Sequence, residues 1–301
     1  MARFLPVVLV VGLLGGSAAA FAVTERLKLE RSPIFATQVG KVVSSNGHRV
    51  PIKFRLRKPD NLSVAIVDTH DHVVRALVSS HHVVAGPQKL NWNGRDDSGS
   101  PVPDGVYKPR VHLANAHRTI LLPNPIVVDT KVPQISLTGR NLTVVSPDGD
   151  ARHDYLKVFF KTSEPARAVL YANGRLVVKQ RSFKTRSLQW GRGNGMPARP
   201  GLYRLQLRAI DAAGNQGALS RVFTLRIRYI ELGRHVIHAK AGGRIRVRVS
   251  TDAHFYYWRI GPRHGRVQAR VLSLAAGQAG RYQLVVTERG HSARALVVVG
   301  P

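Results

Sequence analysis

The chain has 301 residues and 44% hydrophobic content, enough for two or three domains and too apolar for a disordered polymer. Lys and Arg number 46 against 17 Asp and Glu, a formal net charge of +29, so a partner drawn by charge is a polyanion: nucleic acid, anionic lipid or an acidic envelope polymer. No cysteine is present, which excludes disulfides and thiolate metal or redox centres.

Behind Met1-Ala-Arg3, positions 4–23 read FLPVVLVVGLLGGSAAAFAV and carry no charge. Twenty residues of helix at about 1.5 Å each span about 30 Å, the hydrocarbon thickness of a bilayer. The run is read as a signal anchor, a transmembrane helix at positions 1–23. Its small-residue end, Ala18-Ala19-Ala20-Phe21-Ala22, keeps a cleavable signal peptide as the alternative. The remainder is therefore expected outside the cytoplasm, on a single-pass cell-membrane protein or on a secreted one. Positions 24–37 are polar and mixed in charge, as expected of a stalk.

From there the pattern is period two. Ile52-Lys-Phe-Arg-Leu-Arg57 alternates apolar and charged residues, as do positions 204–208, 224–228 and 244–249. This spacing predicts strands with one buried and one wet face. Gly, Pro, Asn and Asp punctuate them at sandwich-like intervals. The expected fold is all-β, with β-sandwiches at 38–131, 132–230 and 231–301.

An internal repeat supports the tandem reading. Positions 90–107, LNWNGRDDSGSPVPDGVY, align with positions 188–203, LQWGRGNGMPARPGLY. Trp92 matches Trp190, Gly105 matches Gly201, and Tyr107 matches Tyr203; Gly94 belongs to the same signature. In the second copy Arg192, Gly193 and Pro200 hold the places of Asp96, Asp97 and Asp104. The retained residues describe a strand ending in a buried Trp, a Gly/Pro turn, and a strand restarting before a Tyr. The acids are thus decoration on a turn, Asp96 and Asp97 suiting Asx-turns that bond their own backbone.

The segment WNGRDDSGSPVPDGVY resembles the central signature of the Ig-like domain of bacterial flagellar hook-capping proteins. Ser146-Pro-Asp-Gly-Asp-Ala-Arg-His-Asp154 is similar to the opening segment of such domains, and Asp211-Ala-Ala-Gly-Asn215 to their closing turn. The resemblance covers roughly residues 38 to 230. It implies an Ig-like fold and an extracytoplasmic scaffold or adhesion module; it does not fix a ligand. Three departures stand out. Asp148 replaces a usual Asn, Ala151 replaces a Gly, and the second Trp-Gly-Arg loop lacks the acids. The third unit lacks that loop altogether, but six β patterns (235–238, 244–249, 255–260, 266–274, 282–286 and 293–299) suit another small sandwich.

Few constellations suggest chemistry. Thr69-His-Asp-His72 aligns with Ala172-Asn-Gly-Arg175, whose Asn-Gly is a strong two-residue turn, so a hairpin tip is expected rather than a zinc site, even with His81 and His82 downstream. Asp148, Asp150 and Asp154 present oxygens from one loop but lack the ligand series of an EF-hand, and a capped turn is expected. No hydrolase, zincin or P-loop motif occurs. No catalytic residue, cofactor or metal is expected. The densest aromatic run, Phe255-Tyr-Tyr-Trp-Arg259, gives the candidate ligand surface: Tyr257, Trp258 and Arg259, flanked by Arg263 and Arg266. Arginines otherwise spread along strand faces. The expected function is a non-catalytic, membrane-anchored envelope protein presenting a basic surface to anionic polymer or lipid head groups. A surface nucleic-acid binder is the alternative, disfavoured by export and by the lack of any recognition motif. A secreted hydrolase accessory protein ranks third.

Overall fold

The computed structural model describes residues 31–191, 195 and 199–301. The apolar run at 4–23, the first half of the expected stalk (24–30), and Arg192 and Gly193 of the second loop lie outside the described residues. Among the described residues no helix is long and apolar enough to cross a membrane, and all regular structure is β.

The chain divides into two compact units at Thr130 and Lys131. The first unit contains β1 (Ile34–Val39), β2 (Val42–Val43), β3 (Val50–Leu56), β4 (Asp60–Val67), β5 (Val73–Val83), β6 (Gly86–Trp92), β7 (Gly105–Leu113), β8 (Arg118–Leu121) and β9 (Ile126–Val128). They form the sheets β1-β3-β6 and β2-β9-β7-β4-β5, with β8 added beside β7. On β3, Ile52, Phe54 and Leu56 are buried while Lys53 and Arg55 are exposed, as the alternation predicts. Each such buried side chain stabilises by about 1.5–3 kcal/mol.

The second unit holds two sandwiches. One comprises β10 (Ile135–Arg140), β11 (Val144–Val145), β12 (Leu156–Thr162), β13 (Ala166–Ala172), β14 (Arg175–Lys179), β15 (Ser187–Trp190), β16 (Gly201–Asp211) and β17 (Phe223–Ile227). The other comprises β18 (Ile230–Leu232), β19 (Val236–Lys240), β20 (Arg244–Thr251), β21 (Tyr256–Ile260), β22 (Arg263–Val267), β23 (Val271–Ala275), β24 (Gly280–Glu288) and β25 (His291–Gly300).

The three sandwiches share one topology. The first, third and sixth strands make one sheet; the second, last, seventh, fourth and fifth make the other. In each the short second strand pairs in parallel with the last: β2 with β9, β11 with β17, β19 with β25. Each sandwich also encloses its own apolar core.

Three expectations need correction. Ile34 is buried and lies on β1, so the stretch from Ile34 to Thr37 belongs to the sandwich and not to a stalk. Ala36, at φ 52°, breaks the pairing of β1 with β3 and hides the alternation there. The single strand expected over 266–274 is two strands, β22 and β23, on opposite sheets. The expected boundary at residue 230 shifts slightly: Ile230 opens β18 and packs in the third core, while Tyr229 packs in the second.

Candidate functional site

The Trp-Gly-Arg loop builds a frame and not a pocket. Trp92 closes β6 and is 1% exposed; its Nε1 donates to Arg95 O at 2.9 Å. The Arg95 guanidinium donates to Gly99 O and to Ser45 O, tying the loop to the chain beyond β2. Gly94, at φ 71°, accepts Val102 N. Tyr107 packs edge-on to Trp92 with centroids 5.4 Å apart, and its hydroxyl donates to Pro103 O at 2.9 Å.

The second copy repeats the tryptophan–tyrosine pair. Trp190 is fully buried, Tyr203 meets it edge-on at 6.2 Å, and the Tyr203 hydroxyl donates to Arg199 O at 2.9 Å. Gly191 follows at φ 122°, where a Cβ would stand 2.8 Å from Asp154 O. Gly105 and Gly201 open β7 and β16 with the tyrosine ring two residues on lying over them.

A third copy escaped the sequence comparison. Gly280-Arg-Tyr282 opens β24, and Tyr282 Oη donates to Gln278 O at 3.0 Å, again four residues back. The repeated signal is Gly-x-Tyr alone, without the Trp-Gly-Arg loop that marks the other two.

The acids of the first loop are spent on hydrogen bonds within their own sandwich. Asp96 Oδ1 accepts Ser98 Oγ and Ser100 N, an Asx-turn as expected; the Ser98 hydroxyl bond first, then backbone N–H groups, hold its carboxyl below the ordinary value. Asp97 departs from expectation. It reaches across to Ala76 N on β5 at 3.0 Å, beside Arg75, and does not bond its own turn. Asp104 accepts Thr130 N and Thr130 Oγ1. Asp96→Asn and Asp97→Asn are expected to leave calcium binding by the full chain unchanged in isothermal titration.

At the His70–His72 tip, Asp68 Oδ1 accepts the N–H groups of His70 and His72, and Asp71 sits at φ 62°. The aligned tip has Asn173 and Gly174 at φ 48° and 78°, the turn expected of Asn-Gly. Asp68, His70 and His72 approach one another. His81 and His82 lie on β5, where His82 contacts Asn61.

The candidate aromatic surface splits between the two faces of β21. Tyr257, 51% exposed, and Arg259 point outward; Arg266, cross-strand from Tyr257, joins them with its guanidinium over the Phe255 ring at 3.4 Å. Trp258 points the other way, against the third core, and lies on Gly265, where a Cβ would meet its Nε1 at 2.9 Å. Arg263 donates to Ala275 O on the opposite sheet. The outer face forms a shallow depression of about 460 Å³ in which Tyr257, Arg259 and Arg266 converge.

A larger cleft lies between the two sandwiches of the second unit. On β20, Arg244, Arg246 and Arg248 are all exposed while Ile245, Val247 and Val249 fill the core. Alternate residues on a strand stand roughly 7 Å apart. This arginine ladder runs into a cleft of about 660 Å³ walled by Arg248, Arg152, Arg228 and Arg270. Asp252 and Ser146 are on its floor.

Beside the cleft is a group of carboxylates that sequence spacing did not connect. Asp148 comes from the loop between β11 and β12, Asp252 follows β20, and Glu288 ends β24. Glu288 is 3% exposed. Burial, then contact with Asp148 and the charges of Asp148 and Asp252, raises the Glu288 carboxyl above the ordinary range; Arg289 opposes weakly. Burial likewise raises Asp252, against a lowering by Ser146, with Asp148 and Asp150 adding to the rise. His153 Nδ1 stands 3.3 Å from Asp252.

Residues 40–117 match the family model of the FlgD Ig-like domain. The match holds Trp92, Gly94, Gly105 and Tyr107 and covers about a quarter of the chain. The resemblance seen in the Trp-Asn-Gly-Arg segment is borne out over these residues, and the chain carries tandem Ig-like β-sandwiches.

No curated protein matches the chain. Solved structures with similar arrangements include the BSP domain of a biofilm associated protein (12% identity, TM-score 0.24, 64% of this chain and 29% of that one). A titin I-band fragment, I67–I69, gives 13% identity and TM-score 0.26 over 90% of this chain and 99% of its own. SGBP-B of the Bacteroides ovatus mixed-linkage glucan utilization locus, in complex with a heptasaccharide, gives 13% and 0.24 over 90% and 71%. The chain thus spans under a third of the biofilm associated structure.

Proposed function

We propose that this chain is a non-catalytic envelope protein, held at or released from the cell surface by its N-terminal apolar segment, whose tandem Ig-like sandwiches present a basic surface to anionic envelope polymer or lipid head groups. The observation that carries this reading is the arginine ladder of β20, whose exposed guanidinium groups continue into the cleft walled by Arg152, Arg228 and Arg270. Its roughly 7 Å spacing suits a linear polyanion with repeating charges better than a compact ligand. Guanidinium groups pair bidentately with phosphate and carboxylate. The net charge of +29 supplies long-range attraction without selectivity.

The test compares binding of the full chain to anionic vesicles, teichoic-type polymer, DNA and a neutral glycan at two salt concentrations. All three anionic ligands are expected to bind at low salt and to weaken at least tenfold on going from about 50 to 200 mM, because bound polyanions release counterions. The neutral glycan is expected not to bind. The triple variant Arg246→Ala, Arg248→Ala, Arg270→Ala is expected to flatten the salt dependence. Binding to one ligand alone that survives raised salt would overturn the non-selective reading. If that ligand were DNA, the nucleic-acid alternative would replace it, and Tyr257, Arg259 and Arg266 would be the first residues to vary, since base stacking on aromatics persists in salt.

A further inference from the structure

We propose that the junction between the two sandwiches of the second unit is a calcium site, built by Asp148, Asp252 and Glu288 with the Ser146 hydroxyl. The residues come from three places in the chain. Ser146 and Asp148 belong to the loop after β11, Asp252 follows β20 and Glu288 closes β24, so two ligands come from one sandwich and two from the next.

The cluster alone would be weak support, because acidic side chains often gather on loops. What points to a ligand is the condition of its oxygens. Among the described residues, Ser146 Oγ, Asp148 Oδ2, both Asp252 oxygens and both Glu288 oxygens are buried and have no hydrogen-bond partner. The Glu288 side chain is 2% exposed and that of Asp252 is 9% exposed. A buried carboxylate without partners costs several kcal/mol, so native structures rarely leave one unpaired. Here two stand together, Asp252 and Glu288, with the unpaired Oδ2 of the half-buried Asp148 beside them, and Glu288 faces the Asp148 carboxyl. The two cations within 4 Å of these carboxylates, among the described residues, do not compensate. Arg289 Nε is 3.8 Å from Glu288 Oε1, beyond hydrogen-bond distance, and His153, half exposed, reaches only one Asp252 oxygen. Ser146 Oγ lies beside Asp252 but outside hydrogen-bond geometry.

The chemistry selects the ion. Six oxygens from three carboxylates and a hydroxyl, with no thiolate among them, suit a hard cation. Calcium takes six to eight oxygens in irregular geometry, whereas magnesium demands a near-ideal octahedron and keeps its waters. The loop between β11 and β12 is already shaped for the task. Asp154 accepts Gly149 N at 2.9 Å and Ala151 N, and Asp148 Oδ1 accepts Asp150 N at 3.2 Å. Those bonds fix the loop and leave Asp148 Oδ2 directed elsewhere. Asp150 and Asp154, near Asp148, add negative charge around the ion. Only Arg228 and Tyr229 separate β17 from β18, and Tyr229 is buried and stacked on His291 at 3.5 Å. A cation held from both sides of so short a linker would fix the angle between the sandwiches, and with it the walls of the arginine cleft. The ion would hold that angle whatever the cleft binds.

The experiment is isothermal titration of the full chain, freed of metal by chelation, with calcium and with magnesium, alongside thermal unfolding. One calcium per chain is expected to bind more tightly than millimolar and to raise the unfolding temperature of the second unit. Magnesium is expected to act at least tenfold more weakly. Glu288→Gln and Asp148→Asn are expected to lose at least tenfold in calcium affinity and most of the thermal shift. Because each variant relieves carboxylate repulsion, its metal-free unfolding temperature is expected to match or exceed that of the parent, which separates ligand loss from misfolding. Asp96→Asn is expected to bind as the parent does. Absence of calcium heat in the parent, equal responses to both ions, or a shift that persists in Glu288→Gln would each overturn the assignment. Polyanion binding is scored separately, so either proposal can fail alone.

Discussion

Replacing Trp92 or Trp190 by Ala is expected to destabilise the affected sandwich by about 3–5 kcal/mol, the usual cost of emptying a large buried aromatic site. Both side chains are buried at the end of the sixth strand of their sandwich, and each supports the tyrosine that restarts the seventh. The loss therefore includes the indole's burial, a cavity that the flanking strands cannot close, and the edge-on contact with Tyr107 or Tyr203. Since a chain of several domains has no single unfolding free energy, the measurement is hydrogen exchange resolved along the chain under urea. Protection is expected to fall in the mutated sandwich and to persist in the one across the Thr130–Lys131 division. A loss below about 1 kcal/mol at either position would reassign that tryptophan from core to surface.

Asp211→Ala is expected to cost about 3 kcal/mol, through the buried groups it strands. Asp211 closes β16; Oδ1 accepts Asn215 N and Oδ2 accepts Asn215 Nδ2, both at 2.8 Å. Asp211 and Asn215 are 3% and 1% exposed, so water cannot replace the carboxylate. The exposed Asp97 makes the contrast. It also accepts a backbone N–H, yet its side chain is 61% exposed, and Asp97→Ala is expected to cost under 1 kcal/mol. Chemical denaturation of the two variants side by side checks the ordering. Equal losses would show that burial is not what separates them.

Strand alternation was readable because period two is a local property. Ile52, Phe54 and Leu56 on β3, or Ile245, Val247 and Val249 on β20, declare their buried face through spacing alone. The Trp-Gly-Arg repeat was readable for a related reason. A buried indole, a turn needing positive φ and a tyrosine hydroxyl bonded four residues back are all set within some twenty residues of chain, so their residue types recur together. Where a single feature of the frame survived, as Gly280 and Tyr282 in the third sandwich, the signal fell below what residue comparison separates from chance. The stalk was misread for a local reason too: Ala36 at positive φ interrupts β1 and conceals its alternation.

Tertiary structure decided the rest. The five residues of the expected aromatic surface are close in sequence, but the pleat sends Trp258 inward and Tyr257 outward, and Arg263 is drawn across to Ala275. Asp97 had no local reason to choose Ala76 over its own turn; the packing of β5 beside the loop supplies that donor. Asp148, Asp252 and Glu288 are separated by over a hundred residues in one interval and over thirty in the other. No spacing rule connects them, because their meeting depends on how one sandwich docks on the next through the Arg228–Tyr229 linker. Sequence fixes what each strand buries, since that is a matter of alternate residues. Which charged groups are left facing one another follows only from the packing of completed domains, since burial and the loss of water that make such groups costly are properties of the assembled junction.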